Sequence, residues 1–146
     1  MSNISVCLWY DGSAEEAARF YTSLISNSEI ISTSPIMVTF TLDGVPFQAL
    51  NGGPQFKPTE AASIVVSTKN QEETDRLWMA LTANGGSESQ CAWLKDRFGV
   101  SWQIVPEVLP RLLSSSDRQA ADRALQAMLK MSKIDIEALE SAFNAS

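Results

Sequence analysis

Two glutamines, Gln48 and Gln103, hold matching places in the sequence and are the first side chains whose type and spacing could do chemistry. Each ends a segment of the form Gly-Val-x-aromatic-Gln, and the two segments lie 55 residues apart. An amide side chain donates and accepts hydrogen bonds without carrying a charge. Matching amides on repeated strands therefore indicate polar points in a small-molecule site.

Other catalytic chemistry lacks its usual side chains. The chain has no histidine, the commonest metal ligand and general base. Cys91 therefore has no histidine to activate it as a nucleophile, and inert packing is the favoured interpretation. Cys7 and Cys91 form no Cys-x-x-Cys motif. No two carboxylates fall on strands that would face a common cleft, so acid–base hydrolysis is not predicted.

The elements that position the glutamines recur along the chain. Ile4–Tyr10 is typical of a buried strand, and Ser13–Glu16 is a capping box before apolar residues at helical spacing. About 57 residues later, Ala61–Thr68 and Asn70–Glu73 repeat that order. Single capping boxes often arise by chance, so the inferred duplication depends on the whole pattern.

Each unit is predicted to contain a strand, a helix and about three further strands. The later strands are expected at Glu29–Ser32, Met37–Leu42 and Val45–Asn51, then at Glu88–Leu94 and Val100–Val105 with the middle strand poorly marked. The aromatic residues predicted to pack between helix and sheet are Phe20, Tyr21, Phe47, Trp78 and Trp102. Residues 95–97 are expected to form a solvated turn.

The last forty residues differ from the repeats. Asp117 and Asp135 are predicted to cap two amphipathic helices. Such helices need an apolar surface to cover, either on their own domain or on a partner subunit, and they are candidates for dimer packing. We therefore expect a single domain, 1–146, with module one at 1–56, module two at 57–106 and a C-terminal helical tail at 107–146.

Charge and hydropathy limit the partners. The net charge is −6, and no basic stripe marks a nucleic-acid surface. No apolar run approaches the roughly 20 residues that span a bilayer, and no signal peptide is recognisable. We expect a cytoplasmic protein that binds neither nucleic acid nor membrane.

Several blocks resemble one known family. They are Leu8–Gly12, Ala14–Ala17 with Phe20-Tyr21, Phe47–Pro54 and above all Cys91–Pro106. The chain resembles the vicinal-oxygen-chelate superfamily, and within it the PhnB-like branch that is often labelled the 3-demethylubiquinone-9 3-methyltransferase family. The resemblance implies an α+β fold of two βαβββ modules, as in glyoxalase, bleomycin-resistance and dihydroxybiphenyl-dioxygenase proteins.

The resemblance also implies four metal-ligand positions, which fall on Val6, Gln48, Ser63 and Gln103. Valine cannot coordinate a metal, and the other three side chains are neutral. Zinc and iron prefer imidazole, thiolate or carboxylate, and hard cations prefer several charged oxygens. No metal and no cofactor are therefore predicted, although a one-residue slip in the first strand would bring in Cys7.

A metal-free pocket suits these positions better. Strand alternation predicts that Val6, Leu8 and Tyr10 face the cavity. Val65, Ser101 and Val105 are expected to face inward too. The predicted ligand-binding residues are Gln48, Gln103, Ser63, Tyr10, Val6 and Leu8. Alternatively, Gln48 and Gln103 hydrogen-bond each other and fill the space.

Three functions stay open. The residues favour a homodimeric, non-enzymatic protein that binds a small apolar molecule. The alternatives are a superfamily enzyme with an atypical site (a lyase, isomerase, dioxygenase or thiol transferase) and a structural homodimer with a filled cavity. The methyltransferase label is not favoured, because Asn51–Pro54 is expected to be a loop that ends a strand without opening a helix.

Overall fold

The chain divides into two compact units, the first ending at Thr59 and the second running from Glu60. This computed structural model describes residues 3–145. The first unit contains β1 (Val6–Tyr10), α1 (Ala14–Leu24), β2 (Glu29–Thr33), β3 (Met37–Leu42) and β4 (Val45–Asn51). The second contains β5 (Ser63–Thr68), α2 (Gln71–Thr82), β6 (Ser87–Glu88), β7 (Trp93–Lys95), β8 (Ser101–Pro106), α3 (Val108–Leu113), α4 (Arg118–Met128) and α5 (Ile136–Asn144). Within this described part, no helix is long and apolar enough to cross a membrane.

Both units have the same sheet topology. The strand order is β1-β4-β3-β2 in the first sheet and β5-β8-β7-β6 in the second. In each, the first strand pairs in parallel with the last, and the other neighbours are antiparallel. This α+β architecture confirms the predicted fold of two βαβββ units followed by a helical tail.

One helix covers one face of each sheet. The buried residues of each helix recur at spacings of three and four, so they form a single face that packs on the sheet. These residues are Ala14, Ala17, Ala18 and Tyr21 in α1, and Thr74, Leu77, Trp78 and Leu81 in α2. Against them lie the buried aromatic residues Phe47 and Trp102, as predicted. Phe20 is only partly buried, although it too was expected in the core.

The two helices are capped differently. Asn70 accepts a hydrogen bond from the Glu73 amide at 2.9 Å, which confirms the predicted cap of α2. The prediction for Ser13 was wrong, because its side chain makes no cap hydrogen bond. The Asn51 side-chain oxygen instead accepts from the Ala14 amide at 2.9 Å. The end of β4 therefore caps α1, a contact that local sequence cannot reveal.

The strand predicted over Glu88–Leu94 is two short strands separated by a tight turn. Cys91 and Ala92 both have left-handed backbones, with φ of 58° and 79°. Their amides donate to the carbonyl oxygens of Met131 and Ser132, at 2.8 and 2.9 Å. The turn is thus held by backbone some 40 residues away, which local strand cues over Glu88–Leu94 could not reveal.

The C-terminal tail packs on its own unit. Leu109, Ile134 and Leu139 form a buried cluster with Ala92. Asp117 and Asp135 cap α4 and α5 as predicted, each accepting from an amide three residues later at 3.1 Å. The tail helices therefore already cover an apolar surface within this unit.

Candidate functional site

The face of β1 that packs on α1 carries three of the predicted ligand-binding residues. The Tyr10 hydroxyl donates to the Tyr21 hydroxyl of α1 at 3.0 Å, and Tyr10 is 3% exposed. Since side chains alternate along a strand, Val6 and Leu8 share this helix-facing side. Their predicted placement in the cavity was wrong, and Cys7 and Trp9 occupy the opposite, open face.

Strand register explains the error. Val6 pairs with Phe47 and Ile64 pairs with Trp102, so the first strands of the units match at an offset of 58 (64 minus 6), not 57. Cys7 lies beside Gln48 on the open face of the first sheet. Within the repeat, Cys7 therefore takes the place of Val6 beside Gln48, and Val65 takes the matching place beside Gln103.

The open face of the second sheet brings two predicted residues together. Thr68 points to α2, where its hydroxyl lies 2.7 Å from that of Thr74. By alternation, Ser63 and Val65 face the other way, and they share that open face with Ser101, Gln103 and Val105, as expected. The Gln103 amide donates to the Ser63 hydroxyl at 2.9 Å. The two side chains thus form a neutral polar pair, and a bond between Gln48 and Gln103 stays a prediction.

Ser101 has an unsatisfied hydroxyl on this open face. It is 1% exposed, and its oxygen has no hydrogen-bond partner. Buried polar atoms normally find partners, so the Ser101 hydroxyl keeps an unused hydrogen bond. In the sequence, the only signal for Ser101 was its position in the predicted strand, where it faces the side opposite to Trp102.

An ion pair lies in the same row of the second sheet. Lys95 of β7 is the strand partner of Ser101, and its ammonium group lies 2.6 Å from the Glu60 carboxylate. Hydrogen bonding from Lys95 and its positive charge lower the pKa of Glu60 below its ordinary value. The sequence interpretation missed this pair because it assigned Lys95 to a solvated turn.

The turn between β7 and β8 is organised by Asp96, which is 2% exposed. Its carboxylate accepts from the Phe98 amide at 2.9 Å, the Val100 amide at 3.0 Å and the Trp102 indole at 2.9 Å. The prediction of a solvated turn was therefore wrong for Asp96. This residue fixes the geometry that places Lys95 opposite Ser101.

The Gly52-Gly53 turn after β4 is filled by an indole. Trp9 donates to the Gly53 carbonyl at 2.9 Å and meets Phe56 edge to face, with ring centroids 4.9 Å apart. A Cβ on Gly52 would lie 2.3 Å from the Trp9 ring. Gly52 therefore serves close packing at the end of a strand and Gly53 has a φ of 98°, in agreement with the predicted loop.

The donor set on the open faces does not fit a resident metal. Ser63 and Gln103 are neutral and bonded to each other, while Gln48 lies beside a single thiol. Among residues 3–145, no three Asp, Glu or Cys side chains are grouped so that they could hold a metal ion. These neutral oxygens lack the charge or imidazole that such ions prefer.

A separate groove lies on the helical side of the second unit, with a volume of about 710 Å³. Lys69 and Arg111 line it together with the acids Asp135, Glu137 and Glu140. It contains none of the predicted ligand-binding residues. Its mixed charges and open shape select no ligand class.

Known proteins share this fold. Residues 2–105 match the family model described as 3-demethylubiquinone-9 3-methyltransferase. The PhnB protein of Bacillus cereus is 32% identical, with a TM-score of 0.65 over 72% of this chain and 99% of that one. No curated protein matches this sequence.

More distant structures share the fold alone. A glyoxalase/bleomycin resistance protein from Albidiferax ferrireducens is 15% identical, with a TM-score of 0.55 over 73% of this chain and 99% of that one. The fosfomycin resistance protein FosX of Listeria monocytogenes, described as a complex with Mn(II) and sulfate, is 17% identical at a TM-score of 0.55 over 76% and 94%. The chain therefore belongs to the PhnB-like family that bears the 3-demethylubiquinone-9 3-methyltransferase label.

Proposed function

We propose that this protein binds a small organic molecule against the open face of its second sheet and that it does so without a resident metal ion. The observation that carries the proposal is the neutral Ser63–Gln103 pair, which lies on the open face with Val65 and Val105. A few hydrogen-bonding groups among apolar side chains are typical of small-molecule sites.

The corrected faces change the residues proposed to contact a ligand. On the open face of the second sheet these are Ser63 and Gln103, while the first sheet, by itself, carries Gln48 with Cys7 beside it on its own open face. Val6, Leu8 and Tyr10 instead belong to the helix-facing side, where Tyr10 bonds to Tyr21. The methyltransferase name is a family label, and the tight packing of Trp9 on Gly52 offers it no support.

Native mass spectrometry of protein purified without chelator or affinity metal tests the metal-free proposal. We expect no bound metal and, where a ligand is retained, added mass from an organic molecule. Stoichiometric metal would overturn the metal-free proposal and favour the enzyme alternative. If no compound in a subsequent screen of small apolar molecules raises the melting temperature of the protein, the filled-cavity alternative is favoured.

A variant at Gln103 tests the site itself. For any compound that stabilises the protein, Gln103→Ala should weaken binding about tenfold, the value of one hydrogen bond of ~1.4 kcal/mol. Gln126→Ala is the matched control, because Gln126 is exposed on α4. If Gln103→Ala and Gln126→Ala bound the compound with equal affinity, Gln103 would not be part of the binding site.

We further propose a cytoplasmic homodimer. Small soluble proteins commonly associate around a twofold axis. The first unit leaves several large apolar side chains exposed, among them Ile4, Ile36 and Phe56 at 79%, 64% and 65%. Sedimentation velocity at micromolar concentration should give the mass of two chains, whereas the 16.0 kDa monomer would contradict the proposal.

A further inference from the structure

The open face of the second sheet holds an intramolecular carboxylate. Ser63, Ser101 and Lys95 lie in one row across β5, β8 and β7, since each is the strand partner of the next. Glu60 precedes β5 by three residues, yet its carboxylate bonds to Lys95 of β7. The ion pair therefore joins the chain segments on both sides of β8, at the level of Ser101.

The groups near this level are mainly hydrogen-bond donors. The Lys95 ammonium carries three N–H groups, and the unsatisfied Ser101 hydroxyl supplies an O–H. Gln103, two residues further along β8, contributes an amide that already donates to Ser63. Such a set suits an oxygen anion, and the Glu60 carboxylate is the anion now bound to Lys95.

The ion pair itself is accessible and has apolar neighbours on the same face, whereas Ser101 is buried. Val65 is 59% exposed on the same face, and Trp93 and Val105 are partly buried there. The Glu60 and Lys95 side chains are themselves 64% and 42% exposed. An exposed ion pair contributes little stability, so a competing carboxylate can displace Glu60 at small cost.

The geometry points to a carboxylate subsite: the site proposed above takes a small apolar carboxylic acid, whose carboxylate replaces Glu60 on Lys95 and accepts the unused hydrogen bond of Ser101. This inference rests on the proposed function, because it names the ligand class of the same open face. Glu60 then acts as a built-in competitor that lowers the affinity of the empty site for weak acids.

Titration of the 15N-labelled full chain with sodium benzoate, followed by amide shifts of Ser63, Ser101 and Gln103, tests the inference. Glu60→Gln should lower the dissociation constant for benzoate about fivefold, which corresponds to the loss of one exposed ion pair. Adding Lys95→Met or Ser101→Ala to that variant should abolish the gain. Lys130→Met, an exposed lysine after α4, is the control that should leave it intact. Measurement at about 0.15 M salt screens the net negative charge of the protein beyond ~8 Å.

Benzamide, an uncharged analogue, separates this inference from the broader function. If benzamide and benzoate bind equally and Glu60→Gln changes neither, the carboxylate subsite is refuted while small-molecule binding survives. If neither compound shifts these amides, both proposals fail at this face. Ser101→Ala should leave the ligand-free stability unchanged or slightly higher, because the hydroxyl has no partner to lose. A marked loss of stability would show that Ser101 serves the fold.

Discussion

Asp96 shows how one buried carboxylate can set the geometry of a turn and of the two strands that flank it. Its three hydrogen bonds join the turn amides of Phe98 and Val100 to the indole of Trp102. Because Trp102 and Ser101 are neighbours on β8, the same bonds fix which face each presents. Lys95 precedes Asp96 directly, so the ion pair with Glu60 depends on this turn as well.

Asp96→Ala should lower the free energy of unfolding by about 2–4 kcal/mol, since it leaves buried donors without an acceptor. Urea unfolding followed by circular dichroism measures the change. Asp122→Ala is the control, because Asp122 is exposed on α4 and should change stability by less than about 0.5 kcal/mol. Equal effects of the two substitutions would contradict the structural role of Asp96.

Gly52→Ala tests the close approach of Trp9. The added Cβ would lie 2.3 Å from the indole, so the ring must shift, and we expect a loss of about 1–3 kcal/mol with altered tryptophan fluorescence. Gly12→Ala separates this effect from backbone strain. Gly12 has φ of 91° with nothing within 4 Å of the new Cβ, so that variant should pay only the conformational cost of about 1 kcal/mol. Wild-type fluorescence in Gly52→Ala would count against the contact.

Among the elements, α2 is linked to the segment before α5 by side-chain hydrogen bonds and an ion pair. Gln71 donates to and accepts from backbone groups of that segment, as a neighbouring strand would. The Gln71 amide donates to the Ile134 carbonyl at 2.9 Å, and its oxygen accepts from the Ile136 amide at 2.8 Å. Asp75, one turn along α2, pairs with Lys133 at 2.8 Å. These contacts hold the tail segment beside the helix that covers the second sheet.

The ion pair predicts a pH dependence. Hydrogen bonds from Lys133 and Gln71 lower the pKa of Asp75, so its folded-state value lies below its unfolded-state value. Its stabilisation is then present above the unfolded-state pKa and is lost as the pH falls through the folded-state pKa. At pH 7 the free energy of unfolding of the wild type should exceed that of Asp75→Asn by at most about 1 kcal/mol, because the Asp75 and Lys133 side chains are both partly exposed. Urea midpoints should converge in acid, and a gap that persists there would argue against the titration.

The sequence predicts the elements well where local signals suffice. Alternating apolar residues locate β3 and β4, and Asn70, Asp117 and Asp135 locate three helix starts. It fails where a distant partner decides. Asn51 replaces Ser13 as the cap of α1, and the register against β4 determines which side of β1 faces the helix. The shared face of Ser63 and Gln103 was therefore predicted correctly and the face of Val6, Leu8 and Tyr10 was not, while the binding of a ligand there stays a prediction.

At the scale of the whole molecule, duplication accounts for the sheets and the tail accounts for their difference. The second unit has shorter strands, β6 and β7, and a left-handed turn between them. Amides of that turn donate to the carbonyl oxygens of Met131 and Ser132. Ala92 is also buried with Ile134 and Leu139. The tail thus completes the second unit.

A chain shortened after Pro106 should lose the ordered second unit. The Cys91 and Ala92 amides would lose their acceptors, and Leu109, Ile134 and Leu139 would no longer cover Ala92. In a 15N–1H spectrum, the dispersed amide signals of β7 and β8 should collapse. The milder Ile134→Ala should cost about 2–5 kcal/mol in the full chain. If the amide signals of the shortened chain stayed dispersed, the tail would not be needed for the second unit to fold.

The long reach between the Cys91 turn and Met131 also bears on the order of events during synthesis. The strands of the first sheet all end by Asn51, so that unit can form once Asn51 has emerged from the ribosome, while the rest is still being translated. The turn before β7 must wait about 40 residues for its acceptors, and contacts of such sequence separation form slowly. Nascent chains stalled between Pro106 and Met131 would therefore expose the second sheet, and chaperones would be expected to bind them there.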